Sequence, residues 1–196
     1  MKSQDSFWQL PDLKHFFDPL YVGQVVATEV AEAHYSMSTF YFDYHDLFLI
    51  PKFLTVDRFG YLLSPVTLIK NVEIVLDAGS HCLCNSLALV HHGLADMGMS
   101  SLDALKWCLQ RLCDLAARPV HIKITIFSNV EESNLRIYSR FEELIRLVLE
   151  LIKQFRELGI RSTMSLCDKT GREWPIEDVV ERSFDVGLQQ AKMGLP

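Results

Sequence analysis

Neither G-x-G-x-x-G nor G-x-x-x-x-G-K-S/T occurs among the 9 glycines of this sequence. Nucleotide binding through a glycine-rich phosphate loop is therefore not expected, and no other cofactor signature stands in its place. Apolar runs are short, none reaching the about 18 residues that cross a bilayer, so no membrane partner is expected. Basic residues are outnumbered, with 19 Lys and Arg against 25 Asp and Glu and a formal charge of -6. Nucleic acid, which needs clustered Lys and Arg, is thereby excluded as an expected partner. The 5 cysteines are an odd set, too sparse for a disulfide framework; reduced thiols are expected. Asp5, Asp12 and Lys14 fall where a signal peptide would carry an unbroken apolar stretch. A cytoplasmic or nuclear location is the expectation.

What is present is a globular balance: 49% hydrophobic and 22% charged residues, with 12 Phe, over 196 residues. That length suits one domain and buries about two-thirds of the unfolded surface. The expected organisation is an extension over residues 1–20, one α/β domain over 21–184 and a tail over 185–196.

Along the chain, Val22, Val25, Val26, Val30 and Ala33 recur at helical spacing between Tyr21 and Tyr35, which predicts a first helix. "STFYFD" then reads as a strand. "HDLFLIPKFL", interrupted by Pro51, and "VDRFGYLL" read as two short helices, and Pro65 closes that segment. "IKNVEIVLD" is the second strand. Ala78 to Met99 has a poor period and reads as loop, short helix, loop. Ser100 to Asp103 resembles a capping box ahead of a helix with Leu102, Leu105, Leu109, Leu112 and Leu115 on one face, and "VHIKITIFS" alternates as a third strand. A long helix is expected from about Ser133 to Leu158, with Leu135, Tyr138, Phe141, Ile145, Val148, Ile152 and Phe155 on its stripe, Gly159 as its stop, and Glu143–Arg146 and Glu150–Lys153 as charge pairs. "IRSTMSLCD", a "KTGREWP" turn and a short helix from Pro175 to Phe184 follow.

Alternating strands and helices predict a mainly parallel, four-stranded α/β sheet with helices on one face, arranged as an irregular leucine-rich-repeat-like βα half-solenoid. Each strand closes on a polar residue: Asp43, Asp77, Asn129 and Asp168. In open α/β sheets ligands bind at those carboxyl ends. Asp and Asn also cap the elements that follow, which accounts for the same text.

On the enzymatic reading, Asp43, His45, Asp77, His121 and Asp168 are the acid and base candidates, and Asn129 is a binding residue. His45 beside Asp43 and Asp46 is the richest group, since an imidazole titrates near neutrality. His81, Cys82, Cys84, His91 and His92 carry zinc-ligand chemistry, but one residue between the cysteines is too few for a structural site, so no metal is expected. No activated thiol is marked either. The aromatic clusters "FWQL", "KHFF" and "FYFDY" serve as core or line an apolar pocket.

Three segments in order, Glu29 to Tyr35 ("EVAEAHY"), "STFYF" from Ser38 and "LIKNVEI" from Leu68, resemble a large fungal F-box-like, leucine-rich-repeat-like family. The span is about Val22 to Asp77. Family members open on "L-P-x-E-I-R", whereas Leu10-Pro11 here precedes Asp12-Leu13-Lys14, so adaptor docking is not carried over. The resemblance implies an intracellular recognition module with βα units and assigns no catalytic residue.

Two functions are thus expected from the sequence. One is a non-catalytic interaction module that binds another protein or itself. The other is an isomerase, cyclase or hydrolase acting on an apolar small molecule. An obligate homo-oligomer burying its own apolar face is a third reading of the same composition.

Overall fold

The computed structural model describes residues 14–77, 100–116, 118–128, 135–168 and 170–176. Five strands, β1 (Thr39–Asp43), β2 (Asn71–Asp77), β3 (His121–Ser128), β4 (Arg161–Asp168) and β5 (Glu173–Pro175), form one sheet in the order β1-β2-β3-β4-β5. The first four run parallel; β5 returns antiparallel beside β4. The α/β class with four parallel strands is thus as expected. The fifth strand corrects the reading of "KTGREWP" as turn alone: Gly171, at φ 80°, reverses the chain and Leu166 then pairs with Trp174.

Because β1 to β4 are parallel and neighbours in chain order, right-handed crossovers put the helices that join them on one side of the sheet. The buried residues agree. Phe40 and Phe42, Val72, Ile74 and Leu76, Ile122, Ile124 and Ile126, and Met164 point to one face and join a single core with the helices. These crossovers differ in length and content, and the arrangement observed is a mainly parallel α/β sheet.

Six helices are described: α1 (Pro19–Val22), α2 (Gln24–Met37), α3 (Ile50–Thr55), α4 (Pro65–Leu68), α5 (Ser101–Gln110) and α6 (Leu135–Glu157). The predicted valine stripe of the first helix is not its buried face. Gly23, at φ 84°, separates α1 from α2, and the core face is Ala27, Ala31 and Tyr35, with Val25 and Val26 exposed. Small Ala27 and Ala31 let the helix lie close, while Tyr35 reaches inward so that its hydroxyl accepts the Arg58 amide at 3.1 Å.

Pro51 does not break its helix but opens it, in the first turn of α3, where a missing N–H costs nothing. "VDRFGYLL" is not helical. The Asp57 carboxylate accepts the amides of Phe59, Tyr61 and Leu63 at 3.0, 2.6 and 3.0 Å, taking donors that a helix would have used. Pro65 likewise starts a turn of helix rather than closing a segment.

Ser100 caps α5 as predicted: its Oγ accepts the Asp103 amide at 3.2 Å and donates to Asp103 Oδ2 at 2.7 Å. Leu105, Leu109, Leu112 and Leu115 are buried. On α6 the stripe through Phe141, Ile145, Val148, Ile152 and Phe155 is buried, and Gly159 follows its end at φ 78°. Its ion pairs are Glu142–Arg146 and Lys153–Glu157, while Glu150 reaches Lys106 of α5 at 3.3 Å.

The segment from Ala78 to Met99, with His81, Cys82, Cys84, His91 and His92, lies outside the described residues. So do Asn129, the predicted start of the long helix at Ser133, the last helix beyond Ile176 and the tail.

Candidate functional site

Strand alternation sends every second residue away from the helices. The parallel register lines these residues into rows across the sheet: Thr39, Asn71, His121 and Arg161; Tyr41, Glu73, Lys123 and Thr163; Asp43, Val75, Thr125, Ser165 and Pro175 on β5; and Asp77, Phe127 and Cys167 with Glu173 on β5. This face is mainly polar where the other is apolar.

At its centre Lys123 Nζ stands between Glu73, at 3.2 Å, and Glu173, at 3.3 Å. The hydrogen bond to Glu73 is the main cause that raises the Lys123 pKa, opposed by burial and helped by Glu173. Beside it Tyr41 is 42% exposed; partial burial, then the charges of Asp43 and Glu73, raise its pKa. His121 Nε2 lies 3.2 Å from Thr163 Oγ1. Further along, Thr125 and Ser165 are buried and their hydroxyl oxygens are 3.2 Å apart, and Ser165 donates to Glu173 Oε2 at 3.4 Å.

At the carboxyl edge, Asp43 is level with Val75, two residues short of Asp77 on the next strand; their Cα atoms are therefore about 8 Å apart from strand rise and spacing. Asp43 Oδ1 accepts the amides of His45 at 2.8 Å and Asp46 at 3.2 Å, so this carboxylate closes the turn after β1. The Asp46 pKa is raised, first by burial and next by the charge of Asp43. The exposed His45 ring lies against Tyr44, with centroids 3.8 Å apart.

His121 does not belong with these residues. It begins β3, level with Asn71, whereas Asp77 ends β2; six residues of parallel strand separate the two levels by about 20 Å. Asp168 ends β4 level with Ser128, one position past the row of Asp77, Phe127 and Cys167. The acid and base candidates are accordingly divided between the two ends of the sheet, with Asp43, His45, Asp77 and Asp168 at one and His121 at the other.

Among the described residues no group of three His, Cys, Asp or Glu side chains could hold a metal ion. Cys108 is buried, and that burial pushes its thiol up to about 11. A group that ionises so late is a packing residue rather than a nucleophile at neutral pH.

Sequence reasoning missed the central row of Tyr41, Glu73, Lys123 and Thr163. Alternation in "NVEIVLD" and "VHIKITIFS" already put Glu73 and Lys123 on mixed faces, but only the strand order makes them neighbours. Glu173 depends on β5, and "KTGREWP" by itself reads as a turn.

No protein-family model matches the chain, and comparison with curated proteins and with solved structures found no match. Among the described residues no helix is long and apolar enough to cross a membrane.

Proposed function

We propose that this protein is a non-enzymatic interaction module that holds another protein on the sheet face turned away from its helices. One observation carries the reading: Tyr41, Glu73, Lys123 and Thr163 form a level row across four parallel strands, with Lys123 fixed between two carboxylates. Charges held in place before binding lose little freedom on contact, and a flanking aromatic residue is a common anchor of protein interfaces. The resemblance to fungal F-box-like proteins supports the same reading, since it implies recognition through leucine-rich-repeat-like βα units in the cytoplasm or nucleus. Self-association is the other form such docking could take.

The enzymatic alternative retains Asp43, His45, Asp77 and Asp168 at the carboxyl edge, where Asp46 holds its proton more tightly than an ordinary carboxyl. It loses His121, and Asp43 is already engaged by two amides of its own turn.

A photo-crosslinking residue placed at Tyr41 or Thr163, and at the exposed Arg156 of α6 as control, tests the proposal in cells that make the protein. The expected result is one protein adduct from both sheet positions and none from the helix position. Equal adducts from all three, or none, would overturn it. So would a small molecule detected by native mass spectrometry and lost in the folded Asp43→Asn, Asp77→Asn double variant.

A further inference from the structure

The sheet has one unpaired long edge among its described strands. β1 stands at the end of the strand order and pairs only with β2. The other backbone bonds at its two ends are local, from the Ser38 amide to His34 and from the Asp46 amide to Asp43. Edge strands are commonly blunted by Lys, Pro or a bulge, because an open row of N–H and C=O groups templates another strand. "TFYFD" has none of these devices. Its side chains also alternate cleanly, with Phe40 and Phe42 buried on the helix side and Thr39 and Tyr41 exposed on the other.

The stretch of chain that contains this edge strand carries charge of one sign. From His15 to Pro51, a stretch that builds α1, α2, β1 and the turn after it, no Lys or Arg occurs, while Asp18, Glu29, Glu32, Asp43 and Asp46 do. Glu29 and Glu32 are exposed. Arg58, beyond this stretch, has its guanidinium over the Phe53 ring of the core at 5.5 Å. One strand further in, Glu73 is already neutralised by Lys123. An incoming strand therefore meets the Asp43 carboxylate at the end of β1 and Asp46 in the turn beyond it, and no cation on that strand; the exposed lysines nearest in sequence are Lys52, in α3, and Lys70, ahead of β2. A second copy would bring the same Asp43 and Asp46 and no Lys or Arg on its own β1, so like charges oppose self-pairing at this edge.

We propose that β1 takes up an extended, Lys- or Arg-bearing segment of another protein as an added strand. This rests on the reading of the open face as a docking surface and names the partner's chemistry. Main-chain bonds along β1 supply affinity, and alternate side chains supply selectivity. Residues of the added strand that fall in the rows of Tyr41 and Asp43 are basic: one cation lies over the Tyr41 ring and the next meets the Asp43 carboxylate. Residues between them are apolar and extend the surface begun by Phe40 and Phe42.

The test uses the full chain and two labelled ten-residue peptides, one alternating Arg with Val and the other Glu with Val, read by fluorescence anisotropy and by amide exchange at Thr39–Asp43. The Arg peptide is expected to bind and to slow exchange in β1, and the Glu peptide to do neither. Tyr41→Lys, at an exposed position that folding tolerates, weakens the Arg peptide about tenfold by placing a like charge in its row. Asp43→Asn keeps an oxygen for the turn amides and weakens binding less; Leu158→Lys, exposed just past α6 and away from the docking face, leaves it unchanged.

No binding of the Arg peptide, equal binding of both peptides, binding without protection of β1, or equal loss in the Tyr41 and Leu158 variants overturns the proposal. Protection of β1 that rises with protein concentration alone, without peptide, overturns it in favour of a second copy. Face-specific crosslinks without peptide binding would remove only the β1 edge; loss of both would remove the docking surface as well.

Discussion

The amide of Leu63 donates to Oδ2 of Asp57 at 3.0 Å, across six residues, and the Tyr61 amide meets the same oxygen at 2.6 Å. With Phe59 on Oδ1, one carboxylate organises the whole segment between α3 and α4. The Tyr61 hydroxyl in turn donates to the carbonyl of Phe17, and Phe17 stacks on Phe59 with centroids 4.6 Å apart. Asp57→Ala removes three charge-assisted bonds and leaves their amides to water in a half-buried turn. Chemical denaturation is expected to show a loss of about 3 kcal/mol, and Asp57→Asn, which keeps an acceptor oxygen, a smaller one.

Leu62 sits at φ 60° with its side chain 98% exposed. A leucine there pays the left-handed cost of roughly 1–2 kcal/mol and gains no packing. Leu62→Gly relieves that cost and gives back part of it through the freer unfolded chain. A net gain of about 0.5 kcal/mol is expected from the urea midpoint; a loss would show that the exposed side chain contributes something else.

His34 is half-buried among Phe17, Phe40 and Phe59, with ring centroids at 5.8, 5.8 and 5.6 Å, and its Nδ1 lies 3.2 Å from Ser38 Oγ. Burial lowers its pKa from the ordinary 6.5. The unfolded chain then binds the proton more readily than the folded one, so this contribution to stability is full above pH 6.5 and is lost as pH falls from there through the lowered folded value. Stability of the wild type and of His34→Phe, compared at pH 8 and at pH 5, isolates the effect. The wild type is expected to lose more on acidification, and equal losses would count against it.

Lys123 holds Glu73 and Glu173 on either side. In Lys123→Gln the two carboxylates face each other without a cation. Partly exposed pairs contribute modestly, so a destabilisation of about 1 kcal/mol is expected. The sign of its salt dependence is more telling. Added salt weakens the attraction in the wild type and the repulsion in the variant, so the gap between them should close as ionic strength rises.

The fold was legible where a single physical signal governed. Alternation in "NVEIVLD" and "VHIKITIFS" marks half-buried strands, and the Phe141-to-Phe155 stripe has one wide apolar face. The misread segments are those where two signals compete. In "VDRFGYLL" the spacing of Val56, Phe59 and Leu63 suits a helix, but Asp57 captures the backbone amides first. In the first helix the valines outnumber the alanines, yet the close approach of α2 to the core selects Ala27 and Ala31. Of the candidate site, Asp43 and Asp77 were legible as neighbours because both end parallel strands. His121 was not, because a residue's place along its strand, and not its type, decides which end of the sheet it occupies. The Glu73–Lys123–Glu173 group depends on three segments far apart in sequence, and no local pattern encodes their register.

The monotonic strand order also bears on how the chain reaches this state. Every parallel pair joins segments tens of residues apart, Thr39 with Asn71, Asn71 with His121 and His121 with Arg161. Such a sheet has high contact order, and its loops must close before any strand is rewarded, so folding belongs to the slower regime of α/β domains. As the chain emerges from the ribosome, β1 is made before its sole partner and stays without one until β2 follows. For that interval "TFYFD" is an apolar strand with both edges open, and this is the stage at which the nascent protein most needs shielding from association.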